Sequence, residues 1–255
     1  MNTHYQSQRR KATFIQSQMM GIFIAAIAAV GYVMMTLTSS PFAKGASLLW
    51  LPASLQLIAG IWLGPIRGTL AGGIGAYLAG IIAYGGFGPV DIIMNLVAGG
   101  FANSFLPWLL FKILRIDPTF GSTDIDHKDV LRAALRLISI MIIAVVFAFI
   151  GKLLGLGNWG YIPSLIVVLI SPLFLRGIKI NAPQVLLGIF VCVFISLISS
   201  LIGGLGQVVA GNNWTAALIG TSLGWFLGDT VSSILGLYIL AVFTDSAIKL
   251  KIYQP

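Results

Sequence analysis

The sequence predicts an all-α integral membrane protein, a bundle of about eight transmembrane helices with its N-terminus and C-terminus in the cytoplasm. Three observations predict it: the chain is strongly apolar, long apolar segments alternate with short breaks, and positive charge collects in every second break. Of 255 residues, 58% are hydrophobic and 9% are charged, and the mean hydropathy is +0.98. A soluble domain carries roughly a quarter charged residues. Residues 1–255 are therefore interpreted as a single polytopic membrane domain.

The breaks between spans are clusters of Gly, Pro and charged residues, such as "SSPFAKG" and "LGPIRG". Each apolar segment between them approaches the length of about 20 residues that crosses a bilayer. The polar parts are a cytoplasmic N-terminus at 1–18, the longest cytoplasmic loop at 112–131 and a cytoplasmic tail at 244–255. The last span is unusually long and is expected to be strongly tilted or interrupted near its glycines. The predicted spans are 19–37, 46–63, 68–84, 90–111, 132–151, 160–175, 183–205 and 214–243.

Orientation follows from the positive charges, because cytoplasmic loops carry an excess of Lys and Arg. With the N-terminus inside, all of the 15 Lys and Arg residues except Lys44 and Lys152 fall on the cytoplasmic side. Adding or removing one span would scramble this separation. The pattern predicts a multi-pass protein of the cell (inner, cytoplasmic) membrane, in contact with lipid. It also argues against nucleic acid as a partner, despite a net charge of +8, because the charges lie in turns.

Small residues recur every four positions in several spans, which places them on one stripe where two helix backbones approach closely. Ordinary packing within the bundle accounts for most of these stripes. The pair Ala25 and Ala29 lies in the first span, which is often peripheral, and is the candidate for docking a separate partner protein. The glycines assigned to helix packing are Gly68, Gly72, Gly80, Gly220, Gly224 and Gly228.

Asp229 is the clearest candidate functional residue, because an ionisable side chain deep in a span is costly and needs a reason. It lies in "LGWFLGDTVSS", and Trp225 is one turn earlier on the same helix face. A buried carboxylate requires a cation, hydrogen-bond donors or a proton. Three roles stay open: a structural pair with a basic residue such as Arg67, contact with a cationic or polar ligand, and proton transfer.

Further polar and aromatic groups are predicted to join Asp229 in one outward-facing pocket. A carboxylate is favoured at a helix N-terminus, which explains Asp91, but the two amides of the fourth span need partners in hydrocarbon. Stacking surfaces with a few hydrogen-bonding groups suit a small, flat or weakly charged ligand. The candidate ligand-binding residues are Trp50, Asp91, Asn95, Asn103, Asn212, Trp225 and Asp229.

Catalysis and metal binding receive little support from the sequence. It contains no HExxH, GxSxG or P-loop motif, so we expect a protein that is not an enzyme and uses no cofactor. The acidic residues of the long loop lack EF-hand spacing, and His127 is alone among them, so no metal site is predicted. The one cysteine, Cys192, excludes an internal disulfide.

The stretch from "LPASLQLIAGIWLGPIRG" to "FLPWLLFK" resembles the substrate-binding S components of energy-coupling-factor vitamin transporters. In that family an apolar span ends in a Gly-Pro turn and is followed by a glycine-rich span, as Gly64, Pro65 and Gly68 do here. The resemblance covers about residues 20–112. It implies solute uptake energised by a separate coupling membrane subunit with ATPases, docked through alanines such as Ala25 and Ala29. That family typically has six spans, against the eight predicted here.

A second resemblance competes with the first. "LLWLPAS" and "GNNWTAALIGTSLGWFLGDTVSSILGLYIL" are similar to the membrane-associated sensor domain of bacterial histidine kinases and diguanylate cyclases. Trp50, Pro52, Trp225, Gly228 and Asp229 carry the match. The resemblance implies about eight spans and a signalling output protein as partner. The preferred expectation is a small-molecule-binding subunit for solute uptake, and the alternatives are a sensor module or a structural subunit of a membrane complex.

Overall fold

The structure is a computed structural model that describes residues 3–38, 47, 49–84, 88–123, 125–170 and 179–253. In these ranges every regular element is a helix, so the predicted all-α class is confirmed. Two of these helices are π-helices, named π1 and π2, and a short 3₁₀ turn covers Gly157–Gly160. In chain order the α-helices and π-helices are α1 Thr3–Leu37, α2 Pro52–Tyr84, α3 Pro89–Asn95, π1 Leu96–Phe105, α4 Leu106–Ile113, α5 His127–Leu153, α6 Tyr161–Ile170, α7 Ala182–Val209, π2 Ala216–Ser222 and α8 Leu223–Lys249.

Six helical segments of the described chain are long and apolar enough to cross a membrane, which supports a multi-pass membrane protein. The predicted number of eight is not confirmed. One of the six runs from Pro52 to Ala83 and contains both the second and the third predicted spans. The sixth predicted span, 160–175, continues into residues 171–178, which lie outside the described ranges, so α6 is short. The six segments are Thr13–Leu37, Pro52–Ala83, Leu96–Ile113, Lys128–Leu153, Ala182–Val209 and Ala216–Lys249.

The helix α2 turns back on itself at Gly64, which has φ 78° and ψ −173°. The Gln56 side-chain amide donates to the backbone oxygen of Gly72 at 3.3 Å, although these residues would lie about 24 Å apart in a straight helix. A first arm, 52–63, therefore runs antiparallel to a second arm, 65–84. Glycine adopts the left-handed φ without steric cost. Pro65 suits the start of the second arm because its fixed φ matches a helix and its missing N–H needs no partner.

The α1 helix packs along both arms of α2, and the second arm in turn packs on π1. A Cβ built on Gly75 would lie 2.7 Å from the Ile27 side chain, and the Phe23 and Trp62 rings are 6.3 Å apart. A Cβ on Gly72 would lie 2.6 Å from the Gly99 oxygen. These close approaches make the hairpin the centre of the bundle, with α7 and α8 closing its other side.

The glycines assigned to packing are mostly buried. Gly68 lies at the hairpin contact, where a built Cβ would be 2.6 Å from the Gly60 Cα. Gly80, Gly224 and Gly228 are also buried, whereas Gly220 is half-buried in π2.

The helices continue past the predicted membrane boundaries. Residues 3–18 belong to α1, residues 114–126 connect α4 to α5, and α8 extends to Lys249. The assignment of 1–18, 112–131 and 244–255 to the cytoplasm stays a prediction. Helices extend readily once nucleated, and the polar ends of α1 and α8 contain no proline or glycine to stop them. The last span also continues through its glycines, because π2 widens the helix at Gly220 instead of interrupting it.

The basic residues separate between the two ends of the bundle. At one end, Arg67 donates to the Gln16 side-chain oxygen at 2.9 Å, and Gln16 shares a cavity with Lys112 and Tyr253. At the other end, the Lys152 ammonium donates to the Thr36 backbone oxygen at 2.9 Å. About 30 Å of α1 lies between these levels. This geometry agrees with the predicted grouping of charges, while the side of the membrane that each end faces stays a prediction.

Candidate functional site

A buried cavity lies where the first arm of α2, π1, α7 and α8 meet. Its space for the centres of water molecules is about 30 Å³, enough for a few waters. Met35 of α1, together with Ser47 and Trp50 before α2, lines its side toward the end that contains Thr36. It is lined by Met35, Ser47, Trp50, Gln56, Ala76, Asn95, Ala98, Gly99, Asn103, Ser199, Trp225 and Asp229.

Four polar side chains from four helices form a hydrogen-bonded network on this cavity. The Ser199 hydroxyl donates to Oδ2 of Asp229 at 2.7 Å, and the Asn103 amide donates to the same oxygen at 3.3 Å. Asn103 Nδ2 also donates to Gln56 Oε1 at 3.1 Å. Asp229 and Asn103 are each 2% exposed, and Gln56 is fully buried. The carboxylate is therefore held by donors from α7 and π1.

One buried polar atom at the cavity has no partner in the described structure: Oδ1 of Asn103. Buried side-chain oxygens nearly always accept at least one hydrogen bond. This amide oxygen is itself enclosed, although its residue lines the cavity, so a water or a bound molecule reaches it only when the cavity widens.

Trp50, before α2, and Trp225, on α8, also line the cavity. Each ring packs against a glycine of a neighbouring helix. A Cβ built on Gly203 in α7 would lie 2.5 Å from the Trp225 ring. A Cβ built on Gly31 in α1 would lie 3.0 Å from the ring of Trp50. Any larger residue at Gly203 or Gly31 would push an indole away from its place beside the cavity.

The π-helix π1 brings its glycines and Asn103 to the same wall. A Cβ on Gly99 would lie 2.8 Å from both the Gln56 side-chain nitrogen and the Ala76 Cβ, so a larger residue would displace Gln56 from its partner Asn103. The wide turn is also closed by Ser104, whose hydroxyl donates to the Gly99 oxygen five residues earlier at 2.9 Å. Segments of π-helix frequently occur at functional sites.

Five of the seven predicted ligand-binding residues line this cavity: Trp50, Asn95, Asn103, Trp225 and Asp229. Asn212 does not line it. Asn212 is exposed in the turn after α7 and donates to the Gln207 side-chain oxygen at 2.7 Å, because α7 runs on to Val209 and carries this turn beyond the bundle. Asp91 belongs to α3, and its side chain lies outside the described part of the structure.

The hydrogen-bond partners of Asp229 bear on the first of its three predicted roles, a structural pair with a basic residue such as Arg67. Arg67 belongs to the hairpin turn and donates to Gln16, while Asp229 accepts from Ser199 and Asn103. The Arg132–Asp129 and Lys249–Asp245 ion pairs lie in other parts of the described structure. A structural pair with Arg67 is therefore not present.

Gln56 and Ser199 were not identified from the sequence. Gln56 could have been identified from the sequence, because an amide within an apolar span needs a hydrogen-bond partner, just as Asn103 does. Ser199 could not, because a serine in a membrane helix is ordinarily satisfied by a carbonyl of its own helix, as Ser200 is by Leu197. Only the position of α8 identifies which serine of α7 reaches Asp229.

A second, larger cavity of about 420 Å³ lies at the opposite end of the bundle, beside the hairpin turn. The Lys112 ammonium lies 5.3 Å from the centre of the Trp108 ring, and Trp62 Nε1 donates to Thr244 at 3.1 Å. Burial raises the pKa of Tyr253, and the carboxylate of Asp117 raises it further. The cavity contains no network of buried polar side chains comparable to that at Asp229, so the smaller cavity is the candidate ligand site.

In the described ranges, no three His, Cys, Asp or Glu side chains are grouped in a way that would hold a metal ion. No family model matches the chain, and no curated protein or solved structure matches it either. The function is therefore inferred from the geometry of the cavity around Asp229.

Proposed function

We propose that this chain is a non-enzymatic membrane subunit that captures a small solute in the cavity around Asp229 for uptake, with energy supplied by a separate partner. One observation carries the proposal: Gln56, Asn103, Ser199 and Asp229 converge from four helices on open space rather than on one another alone. Ionisable and amide groups are expensive at membrane depth and typically face a substrate path or a water-filled cavity. Asn103, which lines that space, also keeps a side-chain oxygen without a protein partner in the described structure.

The size of the cavity indicates which state this is. Pockets that hold drug-sized ligands have about 300–1,000 Å³, and this cavity has about 30 Å³. We therefore assign the structure to a closed state, in which the solute site has contracted around the network. Trp50 lies in the non-helical stretch before α2, at the end of the cavity near Met35 and Ser47, and movement of this stretch is the proposed way in.

The proposed topology has eight crossings, with both termini in the cytoplasm of a cell (inner) membrane. The two arms of α2 support it. The Ser47 hydroxyl lies 2.5 Å from that of Thr38, so the approach to α2 begins level with the end of α1. From there the non-helical stretch and the first arm together reach about 30 Å, a full membrane thickness. Each arm then counts as a crossing.

The proposed docking face for a coupling membrane subunit is the outer side of α1. Ala25 and Ala29 are exposed there, whereas Phe23 and Ile27 of the same helix are buried against the bundle. Small exposed residues four apart let a second helix approach closely in lipid. Under the proposal, the ATPases that energise uptake bind through that subunit.

Sensing without transport is the second candidate, and one observation favours it. Trp50, Trp225 and Asp229, which carry the resemblance to membrane-associated sensor domains, all line the same cavity. A sensor would use the solute to shift the bundle between states and would pass the change to an output protein.

Retained solutes test the binding site. The chain is extracted from its native membranes in mild detergent, and small molecules released by denaturation are identified by mass spectrometry. Asp245→Asn is the matched control, because it makes the same change on α8 at a carboxylate that pairs with Lys249 at 2.7 Å. We expect a solute retained by the wild type and by Asp245→Asn and lost from Asp229→Asn. Equal retention in Asp229→Asn would remove Asp229 from the site, and no retained solute in any form would favour a structural subunit.

Co-purification tests the partner. We expect a coupling membrane protein and ATPases to co-purify with the wild type, and their recovery to fall when Ala25 and Ala29 are both changed to Leu. The control is Val146→Leu, at a position of α5 that is 48% exposed. Recovery of a kinase or cyclase instead would support sensing, and a large stable complex unaffected by the change would support a structural role.

A further inference from the structure

In the network around Asp229, Asn103 and Ser199 direct their donors at side-chain acceptors, and one acceptor is left over. Gln56 donates to the Gly72 oxygen, and both hydrogens of the Asn103 amide are used, toward Gln56 and toward Asp229. The Ser199 hydroxyl is also directed at the carboxylate. What remains without a partner is an acceptor, Asn103 Oδ1.

The amide orientation that leaves this acceptor is fixed by its neighbours. Turning the Asn103 amide over would bring its oxygen against the Asp229 carboxylate and the Gln56 oxygen, both of which are acceptors. The orientation of an amide is assigned from such networks, and here one orientation satisfies them. The molecule that completes the site must therefore be a hydrogen-bond donor.

The charge and the aromatic walls specify the donor further. Among the described residues, no Lys, Arg or His lies in ion-pair contact with Asp229, so an ionised carboxylate there is left for a cationic ligand to balance. Trp50 and Trp225 line the same space, and indole faces attract cations, most strongly where water is excluded. A carboxylate, an amide oxygen and two indoles are all partners for positive charge.

The size and ligand set exclude a divalent metal ion as the main occupant. Ca²⁺ takes six to eight oxygen ligands and Mg²⁺ requires a near-ideal octahedron, whereas Asp229 is the single carboxylate of the described lining. An ammonium group needs only a few acceptors. The available 30 Å³ suits such a head group, with the remainder of the solute directed toward Trp50 once the site opens.

We infer that the captured solute is a small organic cation, with its ammonium group beside Asp229 and Asn103 and its apolar part against the two tryptophans. The inference rests on the proposed function, because it assigns the substrate class of the same cavity. A carboxylate that accepts only neutral donors from the described residues repels anions, and neutral amides lack the charge that matches it.

Charge-selective thiol labelling tests this inference in the full chain in nanodiscs. In a Cys192→Ser background, Ala98→Cys places a thiol on the cavity wall, and Asn212→Cys is the exposed control. The probes are aminoethyl (cationic), sulfonatoethyl (anionic) and methyl (neutral) methanethiosulfonate. We expect the ratio of cation to anion reaction rates at position 98 to exceed that at position 212 by at least tenfold. Asp229→Asn should bring the ratio at 98 down to the control value.

Protection of the thiol at position 98 by added solutes separates the cation assignment from the broader proposal of solute capture. Propylammonium should slow the reaction of the neutral reagent at position 98 several-fold, and its neutral counterpart propionamide should not. The cation assignment is wrong, while solute capture stands, if propionamide protects as well as propylammonium does. The same conclusion follows if Asp229→Asn leaves the ratio of cation to anion reaction rates at position 98 unchanged. If no reagent reaches position 98 faster than it reaches a buried thiol such as Cys192 in the wild type, both proposals fail.

A second variant keeps the test valid if Asp229→Asn does not fold. Trp225→Phe retains an aromatic ring against Gly203 but weakens the attraction to a cation, since indole is the strongest of the aromatic partners. We expect propylammonium protection to weaken a few-fold while the neutral reagent alone reacts at an unchanged rate. Unchanged protection would overturn the role of the indole in binding the cation.

Discussion

At the scale of single residues, Asp229 is held within the membrane by donors rather than by a basic side chain. The shortest bond to it comes from Ser199, at 2.7 Å and across two helices. Hydrogen bonds to charged groups contribute more than neutral ones, although those between membrane helices average well below 1 kcal/mol, with a maximum near 2. The bond from α7 is therefore expected to stabilise the α7–α8 pair as well as the site.

Replacing Ser199 by alanine tests this contribution. We expect Ser199→Ala to lower the free energy of unfolding by about 1 kcal/mol, because a buried carboxylate loses a donor. Ser200→Ala is the control, since the Ser200 hydroxyl donates to the Leu197 oxygen within its own helix and should cost little. Both are measured by denaturant titration in mixed micelles. Equal losses would mean that the Ser199–Asp229 bond adds nothing specific.

At the scale of elements, the hairpin in α2 and the two π-helices position the cavity. The reversal at Gly64 carries Gln56 to the level of Gly72 and of Asn103 in π1. The second arm approaches π1 so closely that a Cβ on Gly72 would lie 2.6 Å from the Gly99 oxygen. The polar network depends on these two backbone features.

A substitution at Gly64 measures the cost of the turn alone. A Cβ at Gly64 would meet no atom within 4 Å, but its φ is +78°, so Gly64→Ala strains the backbone without a clash. We expect a loss of about 1–3 kcal/mol in unfolding free energy, because this combination of φ and ψ is essentially restricted to glycine. Gly21→Ala, which also has free space but ordinary helical backbone, should be neutral or slightly stabilising. A neutral Gly64→Ala would show that the turn relaxes readily to another conformation.

At the scale of the whole molecule, the bundle has two distinct ends with a cavity toward each. The smaller cavity, around Asp229, lies toward the end of α1 that contains Met35, and the larger lies beside the hairpin turn, Lys112 and Tyr253. The polar network therefore lies nearer the end that is predicted to face outward. That arrangement fits a protein that captures a solute from outside the cell.

Labelling at the hairpin turn tests both the eight crossings and the orientation. Ile66 is 72% exposed at the turn. In a Cys192→Ser background, Ile66→Cys should react with a membrane-impermeant maleimide only after sealed right-side-out vesicles are permeabilised. Trp159→Cys, at a position that is 75% exposed near the opposite end, should react from outside. A thiol at position 66 that stays unreactive in permeabilised vesicles would place the turn within the membrane and contradict eight crossings.

Much of the architecture follows from local signals in the chain. The "LGPIRG" segment predicted a break, and the backbone reverses there at Gly64. The four-residue spacing of Trp225 and Asp229 predicted one shared face, and both line the cavity. The helices α1 and α8 reach Thr3 and Lys249, beyond the predicted membrane spans, because polar composition marks the membrane boundary and does not mark the end of a helix.

The sequence by itself determined that this chain is a bundle of apolar helices and that a few polar residues lie at depth, because both depend on local composition and spacing. Only the tertiary structure decided that Asn103 and Ser199 hold Asp229, that Gln56 belongs with them and that Asn212 does not. Those relations join residues far apart in the chain, such as Asn103 and Asp229 at 3.3 Å. They arise from how closely glycine-rich backbones approach in three dimensions, which the periodicity of one helix does not specify.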